Sequence, residues 1–170
     1  FEPCSKDTIN DMISYSDKLL SSNNAQEAIQ KYNEILENIS KDEMPDAYSH
    51  VMNNIANAYS KLAEYKNTKT NILNAIESYQ QALSFYMDND DGANSSIVLN
   101  NIANANRVLT DITGDTAYLE KAVNQYKNAL KYYSLPKYPL DHALIQYNMA
   151  KAYFDLGLSD LSRECLSNAE

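Results

Sequence analysis

Glycine is scarce in this chain: three residues in 170, at positions 92, 114 and 157, accompanied by four prolines. The many tight turns of an all-β sandwich or barrel therefore cannot be supplied, and an all-α fold is expected. Three isolated glycines also cannot build a Gly-rich phosphate loop or a dinucleotide fingerprint, which argues against nucleotide enzymes. Basic residues are few as well. Fourteen Lys and Arg against 23 Asp and Glu leave a net charge of -9, which repels a phosphate backbone, so nucleic acid is not an expected partner. No stretch approaches the roughly 20 apolar residues of a membrane span, so no membrane partner is expected, and the opening Phe1-Glu2-Pro3-Cys4-Ser5-Lys6-Asp7 has no signal-peptide pattern. The chain starts without Met and is expected to be part of a larger protein. The two cysteines, Cys4 and Cys165, make no disulfide framework and have no His or Cys at metal spacing. Free thiols and a reduced, cytoplasmic setting follow as expectations.

What the chain does have is repetition. Asn54, Asn101 and Asn148 stand 47 residues apart, and so do Tyr32, Tyr79 and Tyr126. The same interval relates Ala28, Ala75 and Ala122, and again Ala56, Ala103 and Ala150. Pro45, Gly92 and Pro139 keep one phase, and Asn67 and Gly114 another. Agreement over this many columns identifies a repeat protein.

Within the unit, Tyr48, Val51, Met52, Ile55, Ala56, Tyr59, Leu62 and Ala63 step by three and four, the signature of an amphipathic helix. Pro45 suits its first turn and Asn67 its left-handed end. A second stripe, Ile72, Leu73, Ile76, Tyr79, Ala82, Leu83 and Tyr86, ends at Asp88-Asn89-Asp90-Asp91-Gly92. Eight helices in four pairs are predicted: about 6–21 with 25–40, 46–66 with 68–87, 93–113 with 115–134, and 140–157 with 159–169. The alanines at the crossings let helix axes approach to about 8 to 10 Å.

The segments Asn-Ile-Ala-Asn-Ala-Tyr (54–59), Asn-Ile-Ala-Asn-Ala-Asn (101–106) and Asn-Met-Ala-Lys-Ala-Tyr (148–153), with Ala-Ile-x-x-Tyr-x-x-Ala-Leu at 75–83, resemble the tetratricopeptide repeat. An ordinary member has a 34-residue unit, so the two middle units are longer by about 13. The resemblance covers essentially the whole chain. It implies one array over 1–170, a right-handed α-solenoid of antiparallel pairs, and a concave groove lined by the first helix of each pair, where peptides bind. Some members clamp a C-terminal carboxylate with two asparagines and several basic residues. Asn57 and Asn101 match the asparagines, but Asn53, Leu144 and Asn148 stand where Lys or Arg is needed, so that clamp is not expected.

On the expected groove face lie His50, Asn54, Asn57 and Lys61, then Ile97, Asn101, Asn104 and Val108, then Leu144, Asn148, Lys151 and Asp155, with Arg107, Tyr147 and Phe154 beside them. Asparagine carries both donor and acceptor, so a row of them can pair with an extended peptide backbone of any sequence. Equally, such a row can solvate a polar face or bridge neighbouring helices. The groove would grade from mildly basic to apolar and suit a partly apolar peptide.

Other candidates have simpler accounts. The acidic loop at 88–92 places its glycine fifth where an EF-hand has it sixth, and Leu99 stands where the glutamate belongs, so a solvated turn is expected. The 14 tyrosines sit mostly at core spacing. His50 and His142 join no triad or zinc motif, and neither catalysis, metal nor cofactor is expected. The expectation is a non-catalytic scaffold for a protein or peptide partner. A small-ligand sensor domain has no residue-level support. The competing reading is a structural segment that self-associates through its C-terminal pair, where Leu158, Leu161, Cys165 and Leu166 form an apolar stripe with no polar helix after it.

Overall fold

Five of the junctions between helices are closed by a residue in the left-handed conformation, and three of these are not glycine: Asn23 (φ 66°), Asn67 (φ 45°) and Asp90 (φ 54°), with Gly114 (φ 71°) and Gly157 (φ 76°). The short polar side chains of Asn and Asp tolerate this region. A helical chain with few glycines thus still obtains its turns. After residue 21, the Asn24 N–H donates to the Leu19 carbonyl (2.9 Å) and the Asn23 N–H to that of Leu20 (3.2 Å), a Schellman closure. The same pair of bonds recurs after residue 155, from Leu158 to Tyr153 (2.8 Å) and from Gly157 to Phe154 (2.9 Å). The other two junctions hand the chain to a proline at the first helical position. Met44 and Tyr138, preceding Pro45 and Pro139, share φ -136° and ψ 63°.

The computed structural model describes residues 5–133 and 136–169. Among the described residues it is helical throughout, without strand: α1 (Lys6–Ser21), α2 (Ala25–Leu36), α3 (Pro45–Ala63), α4 (Thr68–Asp88), α5 (Gly92–Thr113), α6 (Ala117–Leu130), α7 (Pro139–Asp155) and α8 (Ser159–Ala169). No described helix is long and apolar enough to cross a membrane. Four helices end earlier than their apolar period suggests: α2 at Leu36 instead of 40, α3 at Ala63 instead of 66, α6 at Leu130 instead of 134, a position outside the described residues, and α7 at Asp155 instead of 157. The backbone tightens there into i→i+3 bonds, Asn38 to Ile35 (2.9 Å), Tyr65 to Leu62 (3.3 Å) and Tyr132 to Ala129 (3.1 Å). Ile39 and Tyr133 still turn inward from non-helical backbone and are buried, so the spacing outlasts the helix.

The chain divides into two compact units, Phe1–Phe85 and Tyr86–Glu170. In the first, α1 packs on α2, α2 on α3, and α1 also touches α3. Tyr48 on α3 donates to Gln81 on α4 (2.9 Å). In the second, α5 packs on α6, α6 on α7 and α7 on α8, and α5 also touches α7. Small residues occupy the tight crossings: Ser16, Ala28 and Ala56 in the first unit, Ala103, Ala122 and Ala150 in the second, none more than 2% exposed. Gly92 belongs to the same device, since a Cβ there would lie 2.7 Å from the Tyr132 ring. Six tyrosines are buried, at 32, 79, 86, 126, 133 and 153; Tyr15, Tyr65, Tyr132 and Tyr147 are exposed, so core placement is less general than the spacing suggests. Leu73, placed on the inner stripe by its spacing, is exposed as well.

Ala103→Leu should overpack its crossing and cost about 1 to 3 kcal/mol, seen as a lowered melting temperature. Leu73→Ala, at an exposed site, should stay within about 0.5 kcal/mol. Equal melting temperatures for the two would contradict this packing.

Candidate functional site

Each of the three buried tyrosines spaced 47 residues apart, Tyr32, Tyr79 and Tyr126, brings its hydroxyl to an acceptor on the helix that precedes its own. The Tyr79 hydroxyl on α4 donates to Asn57 Oδ1 on α3 at 2.6 Å, and that of Tyr126 on α6 to Asn104 Oδ1 on α5 at 2.5 Å. Both pairs are 22 residues apart. Tyr32 on α2 donates to Asp17 Oδ1 on α1 at 2.5 Å, across 15 residues, because the first pair lacks seven residues between its helices. Burial is the first cause of the raised tyrosine pKa values. Tyr126 is pushed up to about 12, with the Arg107 guanidinium drawing it partly back. Tyr32 is raised further by burial and by the negative charge of Asp17.

In the first unit, α1 and α3 line two clefts of about 510 and 520 Å³. The first has Lys6, Ile13, Met44 and Asp46 on its walls; the second has Ser21, Asn57, Lys61 and Glu64. A polar bridge stands between them. Asn54 Nδ2 donates to Asp17 Oδ1 at 3.0 Å, and His50 Nε2 lies 3.1 Å from Asp17 Oδ2. Asn57 Nδ2 donates to Asn54 Oδ1 at 3.3 Å, and Lys61 Nζ donates to the Leu20 carbonyl at 3.1 Å. The sequence-predicted residues His50, Asn54, Asn57 and Lys61 therefore do come together on one side of α3. Their hydrogen bonds run to one another and to α1 and α4.

In the second unit, Asn148 Nδ2 on α7 donates to Asn100 Oδ1 on α5 at 3.2 Å, and Arg107 pairs with Asp155 at 3.2 Å. The Arg107 Nε is buried with no partner. Asn104 is occupied by Tyr126, whereas the half-buried Asn101 makes no side-chain hydrogen bond among the described residues. Around these groups the face is apolar and open: Leu144 is 52% exposed, Tyr147 50% and Phe154 68%, with Ile97 exposed on α5. Lys151 Nζ sits 5.5 Å from the centre of the Tyr147 ring, a cation–π contact that leaves the ammonium in solvent. Such a surface can cover apolar side chains of a ligand while Asn101 and Lys151 supply polar contacts.

Sequence reading missed Asp17, Asn100 and the role of Tyr79 and Tyr126. A signal for the last two was there: Asn57 and Asn104 hold one separation from the tyrosines. Asp17 carried no such mark, because the shorter first pair breaks the 47-residue step. Outside this face, His142 Nδ1 lies 2.9 Å from the Tyr133 carbonyl at the start of α7. Asp91 accepts from the Asn94 N–H (3.1 Å) and so caps α5. Cys165 is a free, buried thiol whose pKa burial pushes up, while Cys4 lies outside the described residues.

The buried hydroxyls make stability depend on alkaline pH. An unfolded tyrosine releases its proton near pH 10, whereas folded Tyr126 keeps it until about pH 12. Its contribution is whole below pH 10 and disappears between pH 10 and about 12, with a slope of about 1.4 kcal/mol per unit. Tyr126→Phe should flatten that slope in chemical denaturation series across the window; an unchanged slope contradicts the assignment. No protein-family model matches this chain, nor does any curated protein.

Proposed function

We propose that the chain is an α-solenoid of tetratricopeptide-type antiparallel helix pairs, acting as a non-catalytic scaffold that holds an extended segment of a protein partner against its first helices. The observation that carries this reading is the face of α7. Leu144, Tyr147 and Phe154, half exposed or more, share it with Asn148 and Lys151, and α5 beside it offers Asn101 unengaged. A helix that buries Ile145, Met149 and Tyr153 on one side and still presents large apolar groups on the other is apolar around most of its girth. Surfaces of this kind mark interaction sites. The segment held there would carry aliphatic or aromatic side chains, with its backbone amides pairing with asparagine.

The two units invite different uses of their asparagines. Asn54 is tied to Asp17, so its contribution is to packing α3 on α1. Asn101 has no such duty. Peptides selected from a random display library against the whole chain should therefore lose affinity about tenfold or more on Leu144→Ala with Phe154→Ala, and measurably on Asn101→Ala, with circular dichroism and melting temperature unchanged. Asn54→Ala should instead lower the melting temperature, by about 1 kcal/mol of stability. Selected peptides that bind the Leu144/Phe154 variant as tightly as the parent would overturn the groove assignment.

A further inference from the structure

A carboxamide can present either its oxygen or its amide to a ligand, and what settles the choice is the partner that holds the other end. For Asn104 on α5 that partner is the buried Tyr126 hydroxyl of α6, which donates to Oδ1 at 2.5 Å. The direction of this bond is supported by Arg107. Burial raises the Tyr126 pKa, and the Arg107 guanidinium beside the phenol oxygen partly offsets it. A guanidinium offers donors only, so the phenol keeps its own hydrogen for Asn104. With Oδ1 taken, Asn104 is left with Nδ2. That amide makes no hydrogen bond among the described residues and, unlike the Arg107 Nε, is not sealed from solvent.

Its neighbours on α5 set where it stands. Asn100 and Arg107, about one turn to either side, reach across to Asn148 and Asp155 of α7. Asn104 lies between these two bridges on the same face of α5, beside the strip that separates α5 from α7. Across that strip Asn148 has the opposite polarity: its Nδ2 is spent on Asn100, and its Oδ1 makes no hydrogen bond among the described residues. An extended backbone carries a carbonyl for the one and an N–H for the other. The first unit lacks this arrangement. Tyr79 holds Asn57 in the same way, but there the Asn57 amide turns to Asn54 Oδ1 at 3.3 Å.

We propose that Tyr126 is a positioning residue of the groove: its hydroxyl holds the Asn104 carboxamide with Nδ2 toward the strip between α5 and α7, where it donates to a backbone carbonyl of the bound segment. This rests on the groove reading above and adds a polarity to it, since at this height the groove takes a carbonyl oxygen and refuses an N–H. Accepting a hydroxyl at Oδ1 also polarises the amide and strengthens it as a donor.

The probes are peptides selected from a random display library against the whole chain and weakened by Leu144→Ala with Phe154→Ala. Asn104→Asp still accepts from Tyr126 but cannot donate, and should weaken their binding about two- to tenfold while circular dichroism reports an intact fold. Tyr126→Phe keeps the ring and removes the hydroxyl. It should weaken the same peptides by a similar factor in the parent and by nothing further in an Asn104→Ala background. A tyrosine with a purely structural role would cost the same in both backgrounds, and that result overturns the proposal. Peptides that respond to the Leu144/Phe154 pair and not to Asn104→Asp overturn it while leaving the groove standing. If no selected peptide responds to that pair, the groove reading falls and this one falls with it.

Discussion

A phenol buried in a helical core must find a partner for its hydroxyl, because an unsatisfied one costs about 1 to 3 kcal/mol. Tyr32, Tyr79 and Tyr126 fill the space between successive helices and are almost fully buried, so each needs an acceptor on a neighbouring helix at one height. Asp17, Asn57 and Asn104 supply it. The ring excludes water and gains roughly 1.5 to 3 kcal/mol from burial, while the hydroxyl fixes the rotation of one helix against another. Apolar stripes alone tolerate small slips; a 2.5 to 2.6 Å bond to a single oxygen does not. Ser96 and Ser162, donating to the carbonyls of Ala129 and Ala150 at 2.9 Å, pin further crossings in the second unit in the same manner.

This requirement divides the asparagine row into two kinds. Asparagine can serve as acceptor to a tyrosine and still offer its amide to something else, a versatility an aspartate lacks. Where aspartate takes the post, as at position 17, its two oxygens gather further donors: Asn54 joins Tyr32 at Oδ1, and His50 lies against Oδ2. The face of the first unit thereby satisfies itself. In the second unit the acceptor is the neutral Asn104, no carboxylate sits at the hub, and the nearest acid, Asp155, is drawn to Arg107. Leu144, Tyr147 and Phe154 are uncovered on α7, and Asn101 makes no side-chain hydrogen bond among the described residues. The first unit has a carboxylate hub at Asp17 beside the neutral acceptor Asn57, whereas the acceptor in the second unit is the neutral Asn104.

Helix number and order were readable from the 47-residue step, because the step is carried by buried small residues and buried tyrosines whose identity packing controls. Pro45, Asn67, Gly114 and Gly157 marked helix boundaries for reasons of backbone conformation and did so to within a few residues. The ends of α2 and α6 were less readable. Ile39 and Tyr133 keep the helical interval while leaving the helix, and periodicity reports burial, not hydrogen bonding. The candidate groove residues were found by phase, but the partners that hold them were not. Asp17 lies outside the repeating columns, and Asn100 repeats Asn53 at the 47-residue interval without its bond to Asn148 repeating; a bond between two helices has no trace in one chain unless its spacing recurs. The glycine count misled in a narrower sense: it excluded β-rich folds, yet beyond Asn67, whose left-handed conformation was expected, it gave no hint that Asn23 and Asp90 would take left-handed turns.

Strain at those turns and exposure on α7 bear on where the molecule yields. A non-glycine residue with positive φ carries a conformational cost of about 1 kcal/mol, tolerated only where neighbouring bonds hold it. Asn23 and Asp90 are held by paired closing bonds, and Asn67 is followed at once by Thr68, whose hydroxyl returns to the Ala63 carbonyl at 2.8 Å, and by Asn71, whose amide reaches the Lys66 carbonyl at 2.6 Å. Among the described residues, the junctions entering α3 and α7 show no residue with positive φ and rest on proline and on the inward-turned Ile39 and Tyr133. Of these two, the one before α7 also stacks Tyr133 on Tyr138 at 4.8 Å and takes the His142 ring against the Tyr133 carbonyl. The helix that exposes Leu144, Tyr147 and Phe154 is thus also one whose entry is held by aromatic side chains. Its exposed face stays presented because its root is packed, the condition that the proposed docking surface needs.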